Sequence, residues 1–235
     1  MRLVQFVRDR KQGIGILDGD IVVDVSASKP GLPSTMTEFF DLPEWVEIAR
    51  MAAEEKKLTH ALRDVKLRAP LAPRLIVDFL TFEEHFRQGM DRVAPIEMWR
   101  KTPIAYKKNP FSVIGPEEDI VAPSYTNYLD YEIELAVIIG KKAKNVRKEE
   151  AYKYVAGYTI FNDMSARDIE LKEIMLRLGP FKSKDFDTAA PLGPCIVTHD
   201  EIGDPHNLEM ELRVNGEIRQ KYNTKHMHWK IPELI

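Results

Sequence analysis

Two glutamates, Glu132 and Glu134, interrupt the longest extended apolar run of the chain, DYEIELAVIIGK. Side chains on a strand alternate faces, so both carboxylates project to one side, continued by Ala136 and Ile138, while Ile133, Leu135 and Val137 pack on the other. The pair therefore stands at the rim of a buried surface. Ordinary half-exposed strands show the same alternation, so the pair alone does not define a site. Asp163 is a third acid, placed directly after the apolar run GYTIFN. An acid there either ligates a cation or caps the following helix, with Ser165 as a competing cap. Asp78 closes a shorter apolar run, LIVD. A hard divalent ion such as magnesium takes carboxylate oxygens and keeps positions open for water and substrate, and acids from separate strands can supply such a site.

The elements that must position these acids can be read from periodicity and breakers. From Arg2 to Val25 short apolar runs surround Asp18-Gly19, a pair that favours a hairpin turn, so a small β unit opens the chain. Phe40, Trp45, Ile48, Ala49 and Ala52 recur at helical spacing between Thr37 and Lys57, giving one or two short helices. Pro70 and Pro73 after the charged RDVKLR mark a connector, which places a boundary near residue 70: a small N-terminal α/β domain over 1–70 and a catalytic domain over 71–235. The second part reads as a strand at LIVDF, a helix at TFEEHFRQGMDRV, the strand carrying the two glutamates and a short helix at 149–154. The strand GYTIFNDM, a helix from Ala166 to about Leu178, the strand LGPCIVT and a hairpin turning at Asn215-Gly216 complete it. Strands outnumber helices without alternating with them, so the fold class is α+β.

Composition narrows the partners. Lys and Arg number 34 against 37 Asp and Glu, a formal charge of -3, so no bulk positive field exists to hold a phosphate backbone and nucleic acid is not expected as a partner. The longest apolar run, Leu135 to Ile139, is far shorter than the roughly 20 residues that span a bilayer. Membrane insertion is therefore not expected. Cys195 is the only cysteine, which removes any internal disulfide or cysteine-based zinc site and fits a cytoplasmic setting.

Taken in order, DFLTFEEH, LDYEIELAVIIGK, FNDMSARDIE and KDFDTAAPLGP resemble the fumarylacetoacetate hydrolase family. The resemblance implies a strand-rich mixed β-roll, usually a homodimer, that holds magnesium, calcium or manganese through Glu132, Glu134, Asp163 and Asp78. It implies His85 as general base; residue type alone makes a lone helical histidine a surface or packing group, although histidine does titrate in the useful range. Lys184 matches the lysine that stabilises developing negative charge beside the metal, with Lys182 as a solvated neighbour. Tyr106, Arg167 and Arg92 match positions that line the substrate pocket. His226 and His228 are expected to be exposed. Two departures stand out: Gln88 occupies the place where members with a His-Glu dyad carry the glutamate, and Ile235 falls before the further strands with which the family completes its roll, so the C-terminal part of the domain is expected to be missing.

The activity these residues imply is divalent-metal-dependent hydrolysis of a carbon-carbon bond in a small acidic 1,3-dicarbonyl compound, an acylpyruvate or fumarylacetoacetate-like diketo acid, as in aromatic amino acid catabolism. Family members with the same metal site isomerise or decarboxylate related diacids, which is the alternative. A non-catalytic, metal-stabilised fragment is the third reading.

Overall fold

The computed structural model describes residues 1–90 and 94–235. Strands β1 (Arg2–Arg8), β2 (Lys11–Asp18) and β3 (Ile21–Asp24) open the chain as an antiparallel meander. The expected hairpin is present, with its turn at Gly19-Asp20, one residue later than expected, and Gly19 at φ +58°. A second two-residue turn, Asp9-Arg10, joins β1 to β2 with φ values of 49° and 64°. It contains no glycine or asparagine, so it lacks the sequence signal that marks such turns. Val4 and Phe6 of β1 pack in one apolar cluster and Leu3 in another, so the strand is buried on both faces.

Two helices, α1 (Met36–Phe40) and α2 (Trp45–Glu55), follow, split at Asp41–Glu44, which contains Pro43. The residues at helical spacing, Phe40, Trp45, Ile48, Ala49 and Ala52, are all buried against the sheet core. Then come β4 (Thr59–Ala61), β5 (Lys66–Leu67) and β6 (Ile76–Phe79), the last paired antiparallel with β7 (Ala105–Lys108). Helices α3 (Glu83–Gly89) and α4 (Ile96–Trp99) lie between these two strands. The remainder contains β8 (Val113–Ile114), β9 (Leu129–Asp130), β10 (Ile133–Ile139), β11 (Val155–Asn162), β12 (Ser165–Ala166), α5 (Arg167–Met175) and β13 (Ala190–Thr198). The hairpin β14 (Glu209–Val214) and β15 (Glu217–Asn223) turns at Asn215-Gly216 as expected. The short helix near Glu149 is a 3-10 helix over Lys148–Tyr154, and α5 stops at Met175, before Leu178.

The main sheet has nine strands in the order β10-β11-β13-β1-β2-β3-β4, with β5 beside β1 and β8 beside β13. Only β8 runs parallel to its neighbour, so the sheet is mixed and the molecule is α+β. β1 pairs with β13 through Arg2↔Val197 and Leu3↔Ile196. One continuous sheet thus crosses the boundary read near residue 70. Among the described residues no helix is long and apolar enough to cross a membrane.

Candidate active site

Strand pairing assembles the site. Asp78 and Tyr106 sit opposite one another on β6 and β7, and Lys108, two residues further along β7, projects to the same face as Tyr106. Glu134 lies on β10, which pairs with β11. Where β11 ends, Asp163 N–H donates to the Glu132 carbonyl at 3.0 Å, and Asn162 Oδ1 accepts from Glu132 N–H at 3.1 Å. The end of β10 and the end of β11 are therefore locked together, and Asp163 turns inward rather than capping α5, whose N-cap Ala166 makes no side-chain cap bond.

Carboxylate oxygens of Asp78, Glu134 and Asp163 lie within 4.8 Å of one another. Their surroundings differ sharply. Asp163 is fully buried and meets the ammonium groups of Lys108 and Lys184. Burial alone would raise its pKa, but these two cations outweigh that and hold the carboxyl below the usual aspartate range. Asp78 is pushed up to about 7, by burial first and then by the charge of Asp163. Glu134 is raised well above the usual glutamate range by burial and by the charges of Asp78 and Asp163. Neither Asp78 nor Glu134 forms an ion pair among the described residues. Three converging acids, two of them in no ion pair among the described residues, form a donor set suited to a hard divalent cation, whose charge would offset the burial and mutual repulsion that raise Asp78 and Glu134.

Glu132 is buried beside the cluster but is not one of its three converging acids. Its carboxylate meets Lys184 Nζ at 3.0 Å and the Arg167 guanidinium. The cause is local: Glu132 precedes β10, and its backbone is fixed by Asn162 rather than by a regular ladder. Lys184 Nζ is nearly enclosed by Asp163, by Glu132 and by Glu170 at 3.6 Å. Burial would lower its pKa, and these three acids instead raise it, so the lysine stays charged. Tyr106 departs from a purely substrate-lining role: its hydroxyl reaches Asp163 Oδ2 at 2.6 Å and Asp78 Oδ2 at 2.9 Å, and burial raises its pKa. Arg167 is engaged by three carboxylates, those of Asp130 at 2.9 Å, Glu170 at 2.8 Å and Glu132.

His85 lies exposed on α3 and lines the same cleft as the acids. Among the described residues no acid lies within ion-pair or hydrogen-bonding distance of it. Arg92 falls outside the described residues. His226 and His228 are exposed, as expected. Two participants escaped the sequence reading. Lys108, 2% exposed, contacts Asp163 and the Lys184 carbonyl, and Glu170 bridges Arg167 and Lys184. The strand alternation of Tyr106 and Lys108 was the available signal for the first, and the position of Glu170 one turn into α5, three residues after Arg167, for the second.

Residues 74–235 match the family model described as fumarylacetoacetate hydrolase, C-terminal. The chain belongs to the fumarylacetoacetate hydrolase family. Similar proteins of this family carry different activities in their names. The chain is 37% identical over 242 residues to a mitochondrial oxaloacetate tautomerase of Rattus norvegicus, covering all of this chain and 74% of that protein. It superimposes with a TM-score of 0.77 on the maleylpyruvate hydrolase from Sphingobium sp. SYK-6 in complex with manganese and pyruvate, at 28% identity, covering 100% of this chain and 81% of that one. The 5-carboxymethyl-2-hydroxymuconate delta-isomerase from Mycobacterium smegmatis gives a TM-score of 0.74 at 28% identity, covering 100% and 80%. The fumarylacetoacetate hydrolase fold read from the motifs is thus the fold observed, whereas its members' reactions on small oxo acids span tautomerisation, isomerisation and hydrolysis.

Proposed function

We propose that this chain is a divalent-metal-dependent enzyme that shifts a proton beside the carbonyl of a small oxo-dicarboxylate, interconverting its keto and enol forms. The observation that carries the reading is Lys184, a buried ammonium kept charged by three acids and set against the acid cluster of an open cleft. Relatedness to an oxaloacetate tautomerase along the whole chain supports it. Magnesium or manganese, when bound, supplies Lewis-acid polarisation of the substrate oxygens. Asp78, Glu134 and Asp163 would hold the ion, and the Tyr106 hydroxyl ties Asp78 to Asp163. Lys184 donates a hydrogen bond to the oxygen on which negative charge grows as the neighbouring carbon loses its proton, a charge held in place by its acid partners before the reaction begins. Arg167, held by Asp130 and Glu170, keeps Glu132 against Lys184. The carbon proton of a 2-oxo-dicarboxylate is acidified by the adjacent ketone, so stabilising the enolate is the larger task, and solvent in the open cleft takes the carbon proton and returns one to the enolate oxygen to complete the enol.

Carbon-carbon bond hydrolysis of an acidic 1,3-dicarbonyl compound is the second reading. The position of His85 on the wall of the same cleft favours it, since a histidine there can take a proton from attacking water. One experiment separates the two: oxaloacetate and an acylpyruvate are each incubated with the magnesium- or manganese-loaded protein, and products are followed by NMR. Faster keto-enol exchange of oxaloacetate with the acylpyruvate uncleaved supports the tautomerase. Cleavage of the acylpyruvate into two acids favours the hydrolase, and no acceleration over metal alone in either case removes both.

A further inference from the structure

An ammonium on a four-carbon stem is mobile unless its surroundings fix it, and helix α5 fixes Lys184 at two points. Glu170 stands 3.6 Å from Nζ. Three residues further along the same helix, Glu173 gathers the backbone that leads into the lysine. Its Oε1 accepts from Lys182 N–H at 2.8 Å, and its Oε2 accepts from Phe181 N–H at 2.9 Å, Ser183 N–H at 3.4 Å and Ser183 Oγ at 2.6 Å. Four donors converge on one carboxylate, and hydrogen bonds to an ionised acceptor are roughly twice as strong as neutral ones. Ser183 is fully buried beneath it. The loop then closes as Lys184 N–H donates to Phe181 O at 3.1 Å, while the Lys184 carbonyl accepts from Lys108.

Resting on the reading in which Lys184 stabilises the enolate, we propose that Glu173 is a positioning residue, which through the amides of Phe181, Lys182 and Ser183 sets where the Lys184 ammonium stands relative to Asp163 and Glu132. Glu173 lies on α5 and touches the loop rather than the acid cluster, so its effect on chemistry passes through the loop alone. A displacement of about 1 Å at a catalytic group can cost on the order of 100-fold in rate, which sets the scale of the effect.

The test compares Glu173→Ala and Glu173→Gln with the unaltered, magnesium-loaded full chain. Glu173→Ala should lower kcat for oxaloacetate tautomerisation on the order of 10- to 100-fold while KM and the magnesium-induced rise in Tm stay unchanged, with Glu173→Gln, which keeps one acceptor, in between. Hydrogen exchange should quicken at the amides of residues 181–184 and remain as before along β10 and β11. If Glu173→Ala does not fold, Glu173→Gln carries the same comparison. An unchanged kcat, or a fall in kcat matched by an equal loss of the magnesium response, overturns the assignment. If the unaltered protein turns over neither oxaloacetate nor an acylpyruvate, the proposed function has failed on its own account. Exchange at residues 181–184 then decides the role of Glu173, and unchanged exchange there overturns it.

Discussion

The two walls of the cleft are built in opposite ways. On one, Asp163, Lys108 and Lys184 are almost wholly buried and ion-paired through Asp163, with Asp78 and Glu134 beside them in no ion pair among the described residues. On the other, His85 stands exposed on a seven-residue helix, with no acid within ion-pair or hydrogen-bonding distance among the described residues. A buried wall of fixed charges is preorganised to stabilise developing negative charge, while an exposed histidine has its tautomer and rotamer set by solvent. This contrast is what the proposed enolate-stabilising function rests on, with water activation by His85 as the second reading.

The largest expected effect comes from breaking the buried wall at its centre. Asp163→Ala leaves Lys108 and Lys184 buried without their shared partner, which should cost about 3–5 kcal/mol in a denaturant titration of the metal-free protein. A loss below 1 kcal/mol would show that the lysines relax to water and that the wall is not a fixed charge array. Lys184→Met should do something different: Asp163 retains Lys108 and Glu132 retains Arg167, so stability and magnesium binding should hold while kcat falls by roughly 10²–10³, the scale of one removed donor to developing charge. Lys182→Met, on an exposed side chain stacked over Tyr125, serves as the comparison, and equal losses in the two would contradict the role given to Lys184.

The metal response should sharpen the contrast through pH. Asp78 is raised to about 7 and Glu134 is also raised, so between roughly pH 4, where such acids titrate in the unfolded chain, and about pH 7 the folded protein holds protons that the unfolded chain has released. Stability of the metal-free protein from these two groups is therefore highest at the acid end and falls as pH rises through that window. A cation displaces those protons, so the rise in Tm at fixed total magnesium should grow from about pH 5 to about pH 8, and a constant rise across melting curves would contradict the ligand assignment. The smallest effect on stability and on tautomerisation should come from the exposed wall. His85→Ala should change stability by no more than about 0.5 kcal/mol and leave tautomerisation intact, while any acylpyruvate hydrolysis drops on the order of 10²–10⁴-fold.

The acids of the buried wall stood out in the sequence as candidates because each interrupts or ends an apolar run, but alternation and helix capping explain such acids equally well, and only the family resemblance joined them into one site. Their division of labour was not legible. Glu132 and Glu134 look equivalent by alternation, yet β10 begins between them, and only Glu134 joins Asp78 and Asp163 while Glu132 turns to Lys184 and Arg167. Lys108 was hidden for another reason: its partners lie 55 and 76 residues away, and a lysine resembles any solvated lysine until the acid that buries it is known. The same limit applies to the sheet, since nothing near residue 2 announces that its neighbour is residue 197.

That last pairing has a kinetic consequence. β1 is made long before β13, and although β5 covers its edge at Phe6 and Val7, the stretch at Arg2 and Leu3 must wait for Ile196 and Val197 of β13 before it is paired. Loop closure over such a separation is slow, and until it happens an apolar strand with an unpaired edge is available to other nascent chains. Arg2, Arg8 and the turn at Asp9-Arg10 place charge at both ends of that strand, and charge at the ends of an apolar edge disfavours its pairing with other chains.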